Sequence, residues 1–83
     1  MKYWAKIKIE DRMLKDVIVE GEELRSAVAA VCDAFDLSKP IMLDKHLNET
    51  RDFNRTVFYP DDFIDSVSFD SLEIEKISTK KKL

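Results

Sequence analysis

The residues best suited to catalysis lie in a short polar stretch around the only histidine, His46. Asp44 precedes it by two positions and Glu49 follows it by three. An imidazole flanked by carboxylates could act as a general base or help to bind zinc. No motif supplies the further ligands of a catalytic zinc site, or a nucleophile beside the base. We therefore assign no catalytic residue and interpret His46 as a loop or packing histidine, with an acid–base or metal-dependent enzyme as the alternative.

A second group of potential ligands consists of acidic side chains between positions 61 and 70. Asp61, Asp62, Asp65 and Asp70 could offer oxygen ligands to calcium. The EF-hand pattern, with its central glycine and closing glutamate, does not occur in this segment. Capping of turns explains these acids more simply, so we predict no metal site and no cofactor.

The remaining reactive groups favour structural roles. Cys32 is the only cysteine, which excludes an internal disulfide, a four-cysteine zinc site and an iron–sulfur cluster within this sequence. Its place near the apolar stripe of a predicted helix favours a buried, inert thiol. Gly21 is the only glycine, and one glycine cannot form a glycine-rich phosphate loop. The lysines at positions 80–82 could contact an anionic surface, but a solvated tail is the simpler interpretation.

Trp4 and Ile18 are the candidates for partner binding. If both point away from the core, they form an apolar patch bordered by Lys6 and Lys8. Apolar patches with charged rims often mark interfaces, and tryptophan is favoured at interface centres. The competing interpretation has Trp4 lying flat over its own sheet, covered by residues 44–55. The sequence leaves both open.

The patch depends on a predicted hairpin at the N-terminus. Apolar and polar side chains alternate from position 2 to position 10, which indicates a half-buried strand. A polar break and a β-branched run from Met13 to Glu20 predict a second, antiparallel strand. If Val17 and Val19 point inward, Ile18 points outward. The inward residues of the first strand are then Tyr3, Ala5, Ile7 and Ile9.

The clearest predicted element is a helix over Glu22–Asp36. Its apolar residues share an arc of about 60°, and Pro40 prevents the helix from continuing. Later elements are weaker, and comprise short strands at Ile41–Leu43 and Thr56–Tyr59, a loop with room for one helical turn over residues 44–55, and a last strand over Val67–Ile77.

This order predicts an α+β fold, a β-grasp-like ββαββ mixed sheet packed on one long helix. The first and last strands would lie parallel at the centre, and the helix would cover one face. The other face would then pair Lys6 and Lys8 with Glu73 and Glu75, at about 0.2–1 kcal/mol for each pair. The alternative, a split βαβ ferredoxin-like fold, needs a second helix. We expect residues 1–77 to form one domain and residues 78–83 a flexible basic tail.

Charge and hydropathy limit the partners. Residues 41–75 carry nine acids and three bases, which argues against nucleic acid as a partner of the folded body. The N-terminal segment lacks the apolar stretch of a signal peptide, and no run approaches the roughly 18 apolar residues of a membrane span. We therefore expect a cytoplasmic protein with a protein partner and no membrane association.

Several segments of the chain carry a resemblance to known proteins. These segments are Pro40–His46, Phe53, Thr56, Phe58, Asp61–Ile64 and Phe69–Ile74. Together they resemble a group of small clostridial-type proteins of unknown function with a β-grasp-like, ubiquitin-like fold. The resemblance covers nearly the whole chain and implies that fold but no activity.

This sequence lacks the residues on which the better-known functions of β-grasp proteins depend. Ubiquitin-like sulfur carriers end in Gly-Gly, whereas this sequence ends in Lys-Lys-Lys-Leu. Plant-type ferredoxins need four cysteines, and RNA-binding relatives would present a basic sheet.

We therefore predict a non-enzymatic protein-interaction or self-association module, with a homodimer as one form. Its candidate partner-binding residues are Trp4, Ile18, Lys6 and Lys8. One alternative is a small metal-dependent or acid–base enzyme centred on His46 and the acidic segment 61–70. A second alternative is a regulatory domain that uses the basic tail.

Overall fold

A computed structural model describes residues 1–77, which form a four-stranded sheet and two helices. The predicted tail, residues 78–83, lies outside the described residues. The elements in chain order are β1 (Lys2–Ile9), β2 (Arg12–Glu20), α1 (Leu24–Phe35), α2 (Asp44–Phe53), β3 (Arg55–Phe58) and β4 (Ser71–Ile77), with a 3₁₀ turn at Pro60–Asp62 between the last two strands.

The sheet is antiparallel throughout, with strand order β2-β1-β4-β3. The predicted α+β class is confirmed, and so are the N-terminal hairpin and the central position of the first and last strands. The predicted parallel pairing of those two strands is wrong, because β4 runs antiparallel to β1. The cause is α2: each helix carries the chain once along the sheet, so a second helix reverses the direction of every later strand. The split βαβ order is not followed either, since both helices lie between β2 and β3.

The predicted loop over residues 44–55 is wrong, because most of it forms α2. This helix buries only His46 and Thr50, so it lacks the apolar stripe on which a helix prediction normally depends. The predicted strand at Ile41–Leu43 is wrong as well. That segment has no strand structure, and its Ile41 N–H donates to the carbonyl oxygen of Asp62 at 2.7 Å.

The other predicted elements are confirmed, with shifted ends. Helix α1 begins two residues later than predicted, and Asp36, with a φ of 59°, ends it before Pro40 is reached. Strand β3 begins and ends one residue earlier than the predicted Thr56–Tyr59, and β4 begins four residues later than the predicted Val67.

Both helices pack on the same face of the sheet. Residues Leu24, Val28 and Val31 of α1 belong to one buried cluster with the inward residues of β1, as predicted. Helix α2 joins this layer through the ring of His46, which stacks on Phe58 with 4.2 Å between ring centroids. Neither α1 nor α2 covers the opposite face of the sheet, which we call the open face.

The turn between β1 and β2 consists of two residues in the left-handed region, Glu10 with a φ of 51° and Asp11 with a φ of 67°. Two-residue hairpin turns of this kind match the twist of the strands, but normally use asparagine or glycine. The polar break was therefore correctly predicted as a turn, although its residues are unfavourable for this conformation.

We expect Asp11→Gly to raise the free energy of unfolding by about 0.5–1 kcal/mol, because glycine adopts a positive φ without a Cβ penalty. Urea denaturation measures the change. The control is Glu22→Gly, in a bend where no positive φ occurs, which should leave stability unchanged or lower it. An Asp11→Gly variant no more stable than the control would contradict the prediction.

Candidate partner-binding face

Trp4 and Ile18 lie directly opposite each other on β1 and β2. The Gly21 N–H donates to the carbonyl oxygen of Met1 at 3.0 Å, which makes that pair a hydrogen-bonded one. Because hydrogen-bonded and non-hydrogen-bonded pairs alternate along an antiparallel ladder, Trp4 and Ile18 form a non-hydrogen-bonded pair, the kind whose side chains approach most closely. Ile18 is 57% exposed and Trp4 half-buried, and both lie on the open face.

The predicted cover for Trp4 by residues 44–55 is not what the structure shows. Helix α2 packs on β3 from the core side, where His46 stacks on Phe58 and Thr50 is buried. Trp4 belongs to the other face of the sheet, since its neighbours in sequence, Tyr3 and Ala5, face the core. The apolar pair on the open face is therefore accessible from solvent.

The Trp4 ring is fixed by two polar contacts. Its Nε1 donates a hydrogen bond to Oδ2 of Asp16 at 2.8 Å. The Nζ of Lys6 lies 4.0 Å from the ring centroid, a cation–π contact worth about 0.5–1 kcal/mol at an exposed site. A side chain held in this way loses little conformational freedom when a partner binds.

The predicted charge pairs of the open face are present. Lys6 Nζ lies 3.3 Å from Glu75 and 3.9 Å from Glu73, and Lys8 Nζ lies 3.0 Å from Glu73. Arg55 adds a third cation, 3.5 Å from the same Glu73 carboxylate. The border of the patch is thus a connected ionic network, and its lysines are already engaged within the protein.

Glu73 is the centre of this network and is only 7% exposed. Burial alone would raise the pKa of its carboxyl group. The hydrogen bond from Lys8 and the positive charges of Lys6, Lys8 and Arg55 outweigh burial and hold the pKa below its ordinary value of 4.5. The carboxylate is therefore ionised at neutral pH and anchors three cations on the sheet.

Sequence reasoning missed several members of this face. It did not identify Asp16 or Arg55, although both follow the same alternation as Ile18 and Glu73. It also missed two apolar residues of β2, Met13 and Leu14, which are 51% and 59% exposed. A β-bulge in the pairing with β1 lies beside them, and such irregularities have no clear sequence signal.

His46, the sequence candidate for catalysis, is a fully buried residue of α2. Its Nδ1 accepts a hydrogen bond from the Leu43 N–H at 3.0 Å and so caps the start of the helix. Its Nε2 is 3.6 Å from Oδ2 of Asp62, beyond hydrogen-bond distance. Burial lowers the pKa of the imidazole below 6.5, and nearby Lys45 lowers it further, while Asp62 and Glu49 partly oppose this.

Three of the four acidic side chains between positions 61 and 70 accept hydrogen bonds from three different parts of the chain. Asp62 accepts from the Tyr59 N–H at 2.9 Å, Asp70 accepts from the Glu10 N–H at 2.7 Å, and Asp65 accepts from the hydroxyl of Ser38. Within residues 1–77, no group of three or more His, Cys, Asp or Glu residues is placed to hold a metal ion.

Cys32 is buried in α1, as predicted. Burial raises the pKa of its thiol, and Asp33 raises it further, against a smaller opposing effect of Lys39. The thiol therefore stays protonated and unreactive at neutral pH.

A groove with a volume of about 620 Å³ runs along β3. Side chains of α2 form one wall, and its largest exposed ring belongs to Phe53, which is 70% exposed. Glu49 lies in that wall, but its carboxylate already accepts a hydrogen bond from Thr56 at 2.6 Å. Sequence reasoning missed this groove because it did not predict α2.

Comparison with protein-family models, with curated proteins and with solved structures finds no match to this chain. Among residues 1–77, neither helix has the length and apolar character needed to cross a membrane.

Proposed function

We propose that this protein is a non-enzymatic protein-interaction module whose open face binds a protein partner or a second copy of the chain. The observation that carries the proposal is the pairing of Trp4 with Ile18 on a face that neither helix covers. Lys6 and Lys8 border this pair, and their ionic contacts keep the border polar. An apolar centre with a polar rim is the usual anatomy of a protein–protein interface.

The fixed geometry of Trp4 supports this role. Tryptophan contributes large contact area and is enriched among residues that dominate binding energy. Its hydrogen bond to Asp16 occupies only the indole N–H, and Lys6 covers part of one ring face, which leaves the rest of the ring for a partner. Because Lys6 also restrains the ring, little ordering entropy is lost on association.

The geometry around His46 gives little support to the enzyme alternative. A general base must reach the proton it removes, and this imidazole is fully buried, with its Nδ1 already bonded to Leu43. The regulatory alternative rests on residues 78–83, and both it and a cytoplasmic location stay predictions. The resemblance to clostridial-type proteins stays a prediction too, and the β-grasp fold is not part of the proposal because β1 and β4 run antiparallel.

We expect Trp4→Asp to weaken association at least about 30-fold, the loss typical of a residue that dominates an interface. The measurement is a titration followed by light scattering for a second copy, and by affinity capture for a foreign partner. Trp4 is the only tryptophan, so its own fluorescence should shift to the blue when the face is covered.

The matched control is Ile64→Asp, which introduces the same charge at an apolar side chain that is 80% exposed and lies outside the sheet. This variant should associate like the wild type. If both variants bind normally, or if wild-type Trp4 fluorescence never changes on association, the open face is not the binding surface. Thermal unfolding of each variant separates loss of binding from loss of fold.

A further inference from the structure

Strand β2 is one of the two edges of the sheet and has the features of a pairing strand. It is nine residues long and contains neither proline nor glycine. Three of its apolar side chains, Met13, Leu14 and Ile18, are more than half exposed. Long apolar edges of this kind readily pair with another strand, and soluble proteins usually protect them.

The outward backbone groups of β2 can be identified from its ladder with β1. Since Gly21 bonds to Met1, the residues of the same parity, Val19 and Val17, also bond to β1. The N–H and C=O groups of Asp16, Ile18 and Glu20 then point away from the sheet. Outside the ladder, none of these three N–H groups donates a hydrogen bond within residues 1–77. These three residues therefore present open strand positions.

The other edge, β3, is a weaker template. It has only four residues, and Arg55 and Val57 alone have outward backbone groups, because the Lys76 N–H bonds to Asn54 and sets the alternation. Side chains of α2, Phe53 among them, line the groove beside this edge. A second strand has more room and more backbone partners at β2.

The charges of β2 favour a second copy of the same strand. Arg12, Lys15, Asp16 and Glu20 are its charged residues, so the strand has no net charge. The two strands can therefore pair without net repulsion between them, although each whole chain carries a net charge of −3. The strand is also self-complementary, because antiparallel pairing about a two-fold axis places each residue opposite one that points to the same face.

The register follows from the positions of the two acids. Regular pairing with β1 covers Lys15 to Glu20, so the two-fold axis falls near the middle of that stretch. An axis at Asp16 would set two carboxylates directly opposite, and an axis at Ile18 would set Asp16 opposite Glu20. Like charges in opposite positions are destabilising. An axis at Val17 avoids both conflicts and sets Asp16 opposite Ile18.

We infer that β2 pairs with β2 of a second copy, antiparallel about a two-fold axis at Val17, and so joins two sheets into one. The inference goes beyond the proposed function, because the second copy docks through the edge of the sheet and leaves the open face free for a partner. Asp16 and Ile18 exchange backbone hydrogen bonds with their counterparts. The two open faces become one continuous surface, with a Trp4–Ile18 pair on each side of the axis.

The test is the solution mass across a wide concentration range, by light scattering, for the wild type and for Ile18→Pro. Proline removes the outward N–H of Ile18 but no bond to β1, so the dimer should be lost while the fold remains. The matched control is Val57→Pro, which removes an outward N–H from the other edge and should leave the dimer intact. A monomeric wild type at every concentration overturns the inference, and so does loss of the dimer in Val57→Pro alone.

Hydrogen exchange keeps the test decisive if Ile18→Pro unfolds. The amides of Asp16 and Ile18 should exchange more slowly in the dimer than in the dilute monomer, and those of Arg55 and Val57 should not change. Equal exchange of the Asp16 and Ile18 amides at both concentrations excludes pairing at this edge.

One variant separates this inference from the proposed function. Trp4→Asp changes a side chain of the open face but leaves the outward backbone of β2 intact. A dimer that persists in Trp4→Asp, while foreign-partner capture is lost, supports edge pairing and assigns the open face to a foreign partner. Capture that persists in Trp4→Asp, with a dimer sensitive to Ile18→Pro, supports edge pairing and removes the proposed function.

Discussion

Replacing Glu73 with glutamine is expected to lower the free energy of unfolding by about 2–3 kcal/mol. The wild-type carboxylate is 7% exposed and lies within 4 Å of Lys6, Lys8 and Arg55. Without its charge, three cations remain close together on the sheet, and Glu75 is their one remaining salt-bridge partner among the described residues. The cost falls mainly on Lys6, whose side chain is 14% exposed, because Lys8 and Arg55 are 38% and 63% exposed and solvent screens their charges.

The matched control for this change is Glu75→Gln on the same strand. The Glu75 side chain is 42% exposed, and its one salt bridge among the described residues is with Lys6. Solvent screens such a pair, so we expect a loss below about 1 kcal/mol. Urea denaturation of both variants gives the comparison. Equal losses in the free energy of unfolding of the two variants would show that burial does not increase the contribution of Glu73 to stability.

A double-mutant cycle with Lys8→Met tests the interaction itself. Because Lys8 is the closest cation, at 3.0 Å, part of the loss caused by Glu73→Gln should disappear when Lys8 is already neutral. The pH dependence gives a second signature. The folded-state pKa of Glu73 is lowered, so its stabilisation is present above the ordinary value of 4.5 and is lost as the pH falls through the folded-state pKa.

The open face was predictable from sequence because it depends on alternation alone. In β1 every second residue faces the core, so the positions of Tyr3, Ala5 and Ile7 fix those of Trp4 and Lys6 on the other side. The same rule paired the lysines with Glu73 and Glu75. This result holds whether β1 and β4 run parallel or antiparallel, and the prediction therefore succeeded although the strand direction was wrong.

The direction of β3 and β4 could not be predicted once α2 was missed. Helix α2 is polar, and its ends rather than its pattern identify it: Asp44 lies in its first turn, Arg51 in its last turn, and Asn54 in a left-handed cap. These capping signals were available in the sequence, but the absence of an apolar stripe outweighed them. Because α2 was not predicted, the predicted directions of β3 and β4 were opposite to those in the structure.

The sequence favoured a loop or packing histidine at His46, but the contacts that bury it could not be predicted, for a related reason. Its burial comes from the stack on Phe58, a residue twelve positions away on another element. Its function as a cap depends on the Leu43 N–H, which the prediction placed in a strand and not directly before a helix. Contacts between elements of this kind follow from packing, and no local pattern encodes them.

Replacing His46 with alanine is expected to cost about 3 kcal/mol of stability, close to the loss of other large buried side chains. The change leaves a cavity beside Phe58 and leaves the Leu43 N–H without its acceptor. His46→Phe is the matched control, because it keeps an aromatic ring in the stack but loses Nδ1. It should lose less than about 1.5 kcal/mol, because the part-buried Leu43 N–H loses its acceptor while the buried Nε2, which has no hydrogen-bond partner, is removed as well.

The wild type should also lose stability in mildly acidic solution through this residue. Burial holds the folded-state pKa of His46 below 6.5, with Lys45 acting in the same direction and Asp62 and Glu49 against it. The unfolded chain takes up the proton first as the pH falls. The stability that neutral His46 contributes is therefore complete above pH 6.5, and it declines as the pH falls from 6.5 to the folded-state pKa.

The hydrogen bond that Nδ1 of His46 accepts from the Leu43 N–H explains why the folded state disfavours the charged imidazole. A proton on Nδ1 would set two donors against each other, the imidazole N–H and the Leu43 N–H, and open the first turn of α2. Since His46 is the only histidine, urea denaturation between about pH 8 and pH 5 isolates its titration from that of other side chains. In His46→Phe the decline just below pH 6.5 should vanish. If that variant keeps the same decline, the proton is taken up elsewhere, and the buried cap is not the acid-sensitive group.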